Sequence, residues 1–325
     1  MNRNNINKKV IILILLAIAI LILVLVFVQS AVSKNNRIEQ PTSDVTPTNV
    51  PAQTSDITPP ISPTATITNT PTPAIIPTMK VHFIDVEQGD SILVEEDGHF
   101  MLIDAGVNEK GATVVNYLKK LGVVKLDYII STHPHNDHIG GLDTVIDAYK
   151  VGTVIMPDVS LESENYEDVL ESIKDNNLII TRPVVGDNFT LGNASFVIIS
   201  PNSSSYESLN DYSIGIKLIY GSNSFILTGD AHAVSEAEML ENGIDLSADV
   251  LKLSHHGSST SSTINFLDKI DPKYAVISVG TGNKYEHPHS ATMQAINNLG
   301  IKLYRTNEQN NIIFTSDGKS ISVNV

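Results

Sequence analysis

Beyond residue 79 the chain alternates short β-branched, apolar runs with amphipathic or turn-rich stretches. "KVHFIDV" (80–86), "SILVEE" (91–96) and "HFMLIDAG" (99–106) read as consecutive strands separated by the turns "EQGD" and "EDGH". "GATVVNYLKKLG" (111–122) has helical spacing and a closing glycine, and the buried-type strand "LDYIIST" (126–132) follows it. Further strands are predicted at 153–157, 178–183, 194–201, 213–221, 224–230, 248–257, 274–280 and 302–306, with helices at 163–176, 233–243 and 290–300. Strands mixed with helices predict a layered α/β architecture, two sheets with helices outside.

The first 79 residues follow other rules. Residues 10–28, "VIILILLAIAILILVLVFV", are an unbroken apolar run. As a helix rising about 1.5 Å per residue it is long enough to cross a bilayer. It exceeds the apolar region of about 7–15 residues typical of a cleaved signal, so an uncleaved anchor is expected, with secretion as the alternative if it is cut. Arg3, Lys8 and Lys9 precede it, which favours a cytoplasmic N-terminus and an external C-terminal bulk, although Lys34 and Arg37 follow it. Residues 40–78 are dominated by Pro, Thr and Ser with no apolar period and are expected to stay extended as a tether. The expected organisation is therefore a tip and anchor at 1–33, a linker at 34–79 and one folded domain at 80–325.

The chain has 21 Lys and Arg against 36 Asp and Glu, of which residues 1–79 hold five and three. That leaves 16 basic and 33 acidic residues in the domain, a formal charge of −17. Such a charge disfavours loose capture of nucleic acid, so a polyanionic substrate needs a metal or a local basic patch. There is no cysteine, so any metal site must use His and carboxylates.

"THPHNDHIGG" (132–141) puts three of the ten histidines and an aspartate within six positions, after a strand and before two glycines. Imidazole and carboxylate suit zinc, manganese or iron, and a hydrolytic site keeps one position open for water. The spacing sets His133 and His135 on one side of an extended loop, with Asp137 and His138 free to turn the other way. One loop can thereby feed two metals.

The order "LIDAG", "THPHNDHIGG", "ILTGD", "LSHHGS" resembles the metallo-β-lactamase-fold hydrolases. "FIDVEQGDSILVE", "TGDAHAVSEAEML", "ADVLKLSHHGSSTSS" and "AVISVGTGNKYEHPH" look most like the branch that includes the C-terminal domain of the competence protein ComEC. The resemblance covers residues 80–325 and implies an αββα sandwich holding one or two ions, zinc or else manganese. It implies that His133 and His135 bind one metal, that Asp137 and His138 serve the second, and that Asp230 bridges both. One of His255 and His256 would complete the second position. The family ligand precedes a glycine, which favours His256 and leaves His255 to face substrate or to support a ligand from behind.

Asp104 is expected to orient a ligand histidine. The wider family carries a further histidine before the bridging aspartate, yet none occurs from 139 to 231, and Asn210 in "SLNDYSIGIKL" stands in the stretch that should hold it. His287 either lines the site, as acid or substrate contact, or sits with His289 in a surface turn. His232 reads equally as surface or functional, His82 and His99 carry no assigned role, and "SSTSS" (258–262) offers donors to a phosphate oxygen.

The resemblance implies hydrolysis by hydroxide at the metals, with Asp137 orienting it and His255 or His287 stabilising charge or protonating the leaving group. Phosphodiesters are the expected substrate, nucleic acid first. A cell-wall phosphodiester, a phosphorylcholine ester or a lactone is the alternative, and a non-catalytic tethered binding module is the reading of another class. The expected partners are that substrate and the membrane; no protein partner is inferred.

Overall fold

The structure, a computed structural model, describes residues 77–325. The apolar run at 10–28 and the Pro/Thr-rich stretch through 76 lie outside the described residues. Among the described residues no helix is long and apolar enough to cross a membrane.

The chain runs β1 (Met79–Phe83), β2 (Ile92–Glu96), β3 (His99–Ile103), α1 (Gly111–Lys120), β4 (Lys125–Ile130), α2 (Asn136–Ile139), α3 (Leu142–Ala148), β5 (Lys150–Ile155), α4 (Glu164–Asp175) and β6 (Ile180–Thr181). It continues with β7 (Asn188–Leu191), β8 (Ala194–Ser200), β9 (Gly215–Tyr220), β10 (Asn223–Leu227), α5 (Ala233–Glu241), β11 (Val250–Lys252), α6 (Ile264–Ile270), β12 (Tyr274–Ile277), α7 (Ser290–Asn298), β13 (Lys302–Arg305), α8 (Thr306–Gln309), β14 (Ile312–Ser316) and β15 (Ile321–Asn324).

Two sheets form, ordered β15-β14-β1-β2-β3-β4-β5-β6 and β13-β12-β11-β10-β9-β8-β7. In the first, β3 to β6 are parallel. In the second, β10 to β13 are parallel. Three apolar layers hold them together. Val81, Phe83, Val94, Phe196, Leu218, Phe225 and Phe314 fill the space between the sheets. Val114, Leu118, Val145 and Val169 pack α1, α3 and α4 on the outer face of the first sheet. Met239, Phe266, Leu267 and Ile296 pack α5, α6 and α7 on the outer face of the second. The architecture is the αββα sandwich.

The predicted strands at 99–106 and 126–132 stop at Ile103 and Ile130, because the residues after them leave the ladder to build the site. The loop at 133–138 is not extended throughout: it turns helical at Asn136. Helices α3 and α6 and strands β7, β14 and β15 were not anticipated. Helix α3 buries only Leu142, Val145 and Ile146, too short an apolar period to stand out. The predicted strand at 178–183 shrinks to two residues at the sheet edge, where Ile179 is 83% exposed.

Candidate metal centre

Every candidate ligand sits at a C-terminal strand end. Asp104 follows β3, His133 to His138 follow β4, Asp230 follows β10, and His255 and His256 follow β11. Parallel strands in both sheets point these ends the same way, so side chains distant in sequence converge on one rim.

His138 and Asp230 form the centre of the cluster. His138 Nε2 lies 3.3 Å from Asp230 Oδ2, and His256 Nε2 lies 3.5 Å from the same oxygen and 3.3 Å from Asp137 Oδ2. His133 Nε2 and His255 Nε2 each lie 3.9 Å from Asp230 Oδ2. His135 joins through Nδ1, 3.0 Å from His133 Nε2. Despite this crowding, buried His138 Nε2, His256 Nε2 and Asp230 Oδ1 have no hydrogen-bond partner. Buried imidazole nitrogens and carboxylates gathered this closely, with atoms left unsatisfied, are a donor set that a cation would complete. Asp137, His138, Asp230 and His256 therefore fit a divalent ion, with His133 and His135 beside it.

Outer contacts orient these rings. His138 Nδ1 donates to Asp104 Oδ2 at 2.8 Å, while the Thr132 amide donates to Asp104 Oδ1 at 2.8 Å. His256 Nδ1 donates to the Ser278 carbonyl at 2.9 Å. Each contact places the proton on Nδ1 and leaves Nε2 free for a metal. His133 Nδ1 lies 3.1 Å from Thr132 Oγ1 and 3.3 Å from Ser213 Oγ.

Sequence reasoning passed over Asp90 and Lys252. Lys252 Nζ, fully buried, pairs with Asp90 Oδ2 at 2.8 Å, and Asp90 Oδ1 lies 3.5 Å from His256 Nδ1. The "EQGD" turn is thus a brace: the Asp90 amide donates to the Asp137 carbonyl at 3.1 Å, and a Cβ on Gly89 would sit 2.3 Å from that oxygen. No local pattern marks Lys252, one cation inside an apolar strand.

The electrostatics suit a cation. Burial opposes charge on His256, yet the Asp230 carboxylate, Asp137 and Asp90 push it up to about 10. Burial likewise opposes charge on His138, but Asp230 and Asp104 hold its pKa well above the ordinary value. Against its own burial, Asp230 is held well below the carboxylate range by His138 and His256. Asp137 is lowered, burial opposing and His256 and His138 prevailing. Burial pushes His133 and His135 down, helped by His138. His255 falls to about 4 through burial. Protons on His138 and His256 neutralise a carboxylate pair that a divalent ion would neutralise instead.

Around this floor lies a cleft of about 300 Å³ lined by Gln88, His135, Asn210, His255, Tyr285 and His287. His287 does line the site: its ring centre is 5.2 Å from that of His255, and its Nδ1 is buried without a partner. Burial lowers its pKa to about 4. Tyr285, 49% exposed, stacks on His287 at the cleft mouth. Asn210 lies beside His135 and donates through Nδ2 to His232 Nε2 at 2.9 Å. The serines after the histidine pair are largely used internally, Ser261 Oγ donating to the Ser254 carbonyl at 2.9 Å.

His255 and His256 both adopt left-handed backbone, at φ 50°, ψ 46° and φ 53°, ψ 28°. Two such residues in succession cost on the order of 1–3 kcal/mol each and persist where the surrounding structure over-determines them.

Comparisons with known proteins agree with this picture. The model described as the metallo-beta-lactamase superfamily matches residues 84–281. The chain is similar to the ComE operon protein 3 of Bacillus subtilis, 30% identical over 261 residues that cover 74% of this chain and 33% of that protein. It is also similar to Recombination protein 2 of Haemophilus influenzae, 32% identical over 225 residues that cover 68% of this chain and 26% of that protein. The chain thus spans a third or less of these relatives. Among solved structures, the metallo-beta-lactamase fold protein YhfI from Bacillus subtilis superposes with a TM-score of 0.53 at 11% identity, covering 73% of this chain and 100% of that one, which is a likeness of fold.

Proposed function

Because the chain belongs to the metallo-β-lactamase superfamily, we propose that it is a metal-dependent hydrolase acting on phosphodiesters. The observation that carries the reading is the set of unsatisfied buried ligand atoms, His138 Nε2, His256 Nε2 and Asp230 Oδ1, on the floor of an open polar cleft. A divalent ion held there by Asp137, His138, Asp230 and His256, zinc or manganese, would supply Lewis acidity and lower the pKa of water.

The protein's own groups do the rest. Asp137, 3.3 Å from His256 and facing the cleft, orients the attacking water. His287 stands on the cleft wall, its ring centre 5.2 Å from that of His255, and is the side chain placed to face the leaving group. Asn136, Asn210 and Gln88 offer neutral amides to phosphate oxygens, so the ion carries the positive charge that binds the anion.

A nucleic-acid strand is the first substrate reading, supported by the likeness to a protein named Recombination protein 2. The acidic domain and the cleft volume of about 300 Å³ favour a second reading, a small phosphodiester such as a cell-wall or phosphorylcholine ester. The apolar run at 10–28 and the linker behind it support tethering at the membrane with the hydrolase outside.

The test assays the full chain, purified in detergent and metal-loaded, on single-stranded DNA, bis(p-nitrophenyl) phosphate, p-nitrophenylphosphorylcholine and a chromogenic β-lactam. Metal-dependent turnover of a phosphodiester, lost in Asp137→Ala, is expected. Metal-loaded protein inert on all four and binding less than one equivalent would overturn the enzyme reading in favour of a binding module.

A further inference from the structure

We propose that both histidines of "SHHG" are metal ligands, His256 for the second position and His255 for the first, where His255 replaces the histidine absent between residues 139 and 231. The inference rests on the reading of the cluster as a metal centre and goes beyond it in assigning ligands.

Counting donors leads there. Asp137, His138, His256 and Asp230 already make four ligands for one ion, the usual full set for zinc. His133 Nε2 and His255 Nε2 remain, each 3.9 Å from Asp230 Oδ2, together with His135 Nδ1 at 3.0 Å from His133. Those three imidazoles and the shared carboxylate would make a second four-ligand set, which His255 joins through Asp230 Oδ2. Asn210 offers no imidazole: its Nδ2 donates to His232, and its amide lies against His135 as a hydrogen-bond partner.

Proton bookkeeping around His255 agrees. His232 Nε2 accepts from Asn210 Nδ2 at 2.9 Å, so its own proton sits on Nδ1, the atom 3.7 Å from Asp211 Oδ2. With the one lone pair of His232 Nε2 taken by Asn210, Thr260 Oγ1 at 3.0 Å is the acceptor open to a proton on His255 Nδ1. The His255 lone pair is then on Nε2, the nitrogen that faces Asp230. A ligand histidine whose other nitrogen donates outward is the arrangement metal sites use. The two consecutive left-handed residues splay neighbouring rings to 6.2 Å between centres while aiming both at Asp230, which a single ligand would not require. His232, which reads from the sequence equally as surface or functional, packs 4.9 Å from His255 between ring centres and becomes a positioning residue for it.

The experiment strips the full chain with chelator, reloads it with cobalt(II) or manganese(II), and counts bound metal after desalting, with affinities from competition against a chromophoric chelator. Wild type is expected to hold two equivalents, and His255→Asn and His256→Asn one each, with distinct cobalt absorption spectra. Asparagine tolerates left-handed backbone, and His255→Gly, which that backbone accepts most readily, is the second variant. His232→Ala is expected to weaken only the first position, by about tenfold or more. Two equivalents retained by His255→Asn and His255→Gly with unchanged affinity would overturn the proposal and leave the hydrolase reading standing. A wild-type single equivalent that only His256→Asn removes would do the same; wild type binding no metal would overturn both.

Discussion

Asp104 turns both carboxylate oxygens inward, onto Thr132 and His138, and so presets a ring it shares with no solvent. Asp104→Ala should therefore lower metal affinity about 10- to 100-fold while circular dichroism shows the fold intact, measured by chelator competition. Lys252 acts on the other side of the centre. Lys252→Met strands the Asp90 charge in the interior and should cost about 3–5 kcal/mol in denaturant unfolding, with Asp90→Asn added to it restoring part of the loss. The difference between the two positions also marks what the chain announces. Asp104 stands in a strand-end motif and reads as a site residue. Asp90 looks like an ordinary turn residue, and Lys252 acquires meaning only because β11 passes the "EQGD" turn.

At the scale of elements, strands that end early and loops that pack tightly govern the site. The chain turns from α2 into α3 through Gly140 and Gly141, and a Cβ on Gly141 would lie 2.6 Å from the Ala105 carbonyl and 2.7 Å from Gly111 Cα. Gly141→Ala should destabilise by about 1–3 kcal/mol through overpacking against backbone that cannot yield, and should loosen metal binding as the loop shifts. A thermal melt and a metal titration on the same sample separate the two effects. The two glycines in sequence predicted a sharp turn; the backbone they approach, at Ala105 and Gly111, was invisible there. The same limit applies to β14, whose Phe314 reaches between the sheets to meet Phe83 at 5.8 Å between ring centres. Its pairing partner β1 lies more than two hundred residues earlier, and no local pattern reports such a pairing.

For the whole molecule, a centre drawn from four strand ends across two sheets couples metal to global stability. Metal at about 100 times its Kd should add about 2.7 kcal/mol, or roughly 5–10 °C in Tm for a domain of this size, a gain that chelator reverses and Asp230→Asn abolishes in calorimetry. The sequence by itself determined the alternation of elements, the cysteine-free donor set, the acidic charge and the six ligand candidates, because these are properties of residue type and local spacing. Only the tertiary structure decided which nitrogen of each histidine is free, that Asp90 and Lys252 brace His256, and that Asn210 meets His232, which in turn faces His255. Those relations depend on which strand ends meet at the rim, and two sheets packing face to face bring together residues that no period along the chain connects.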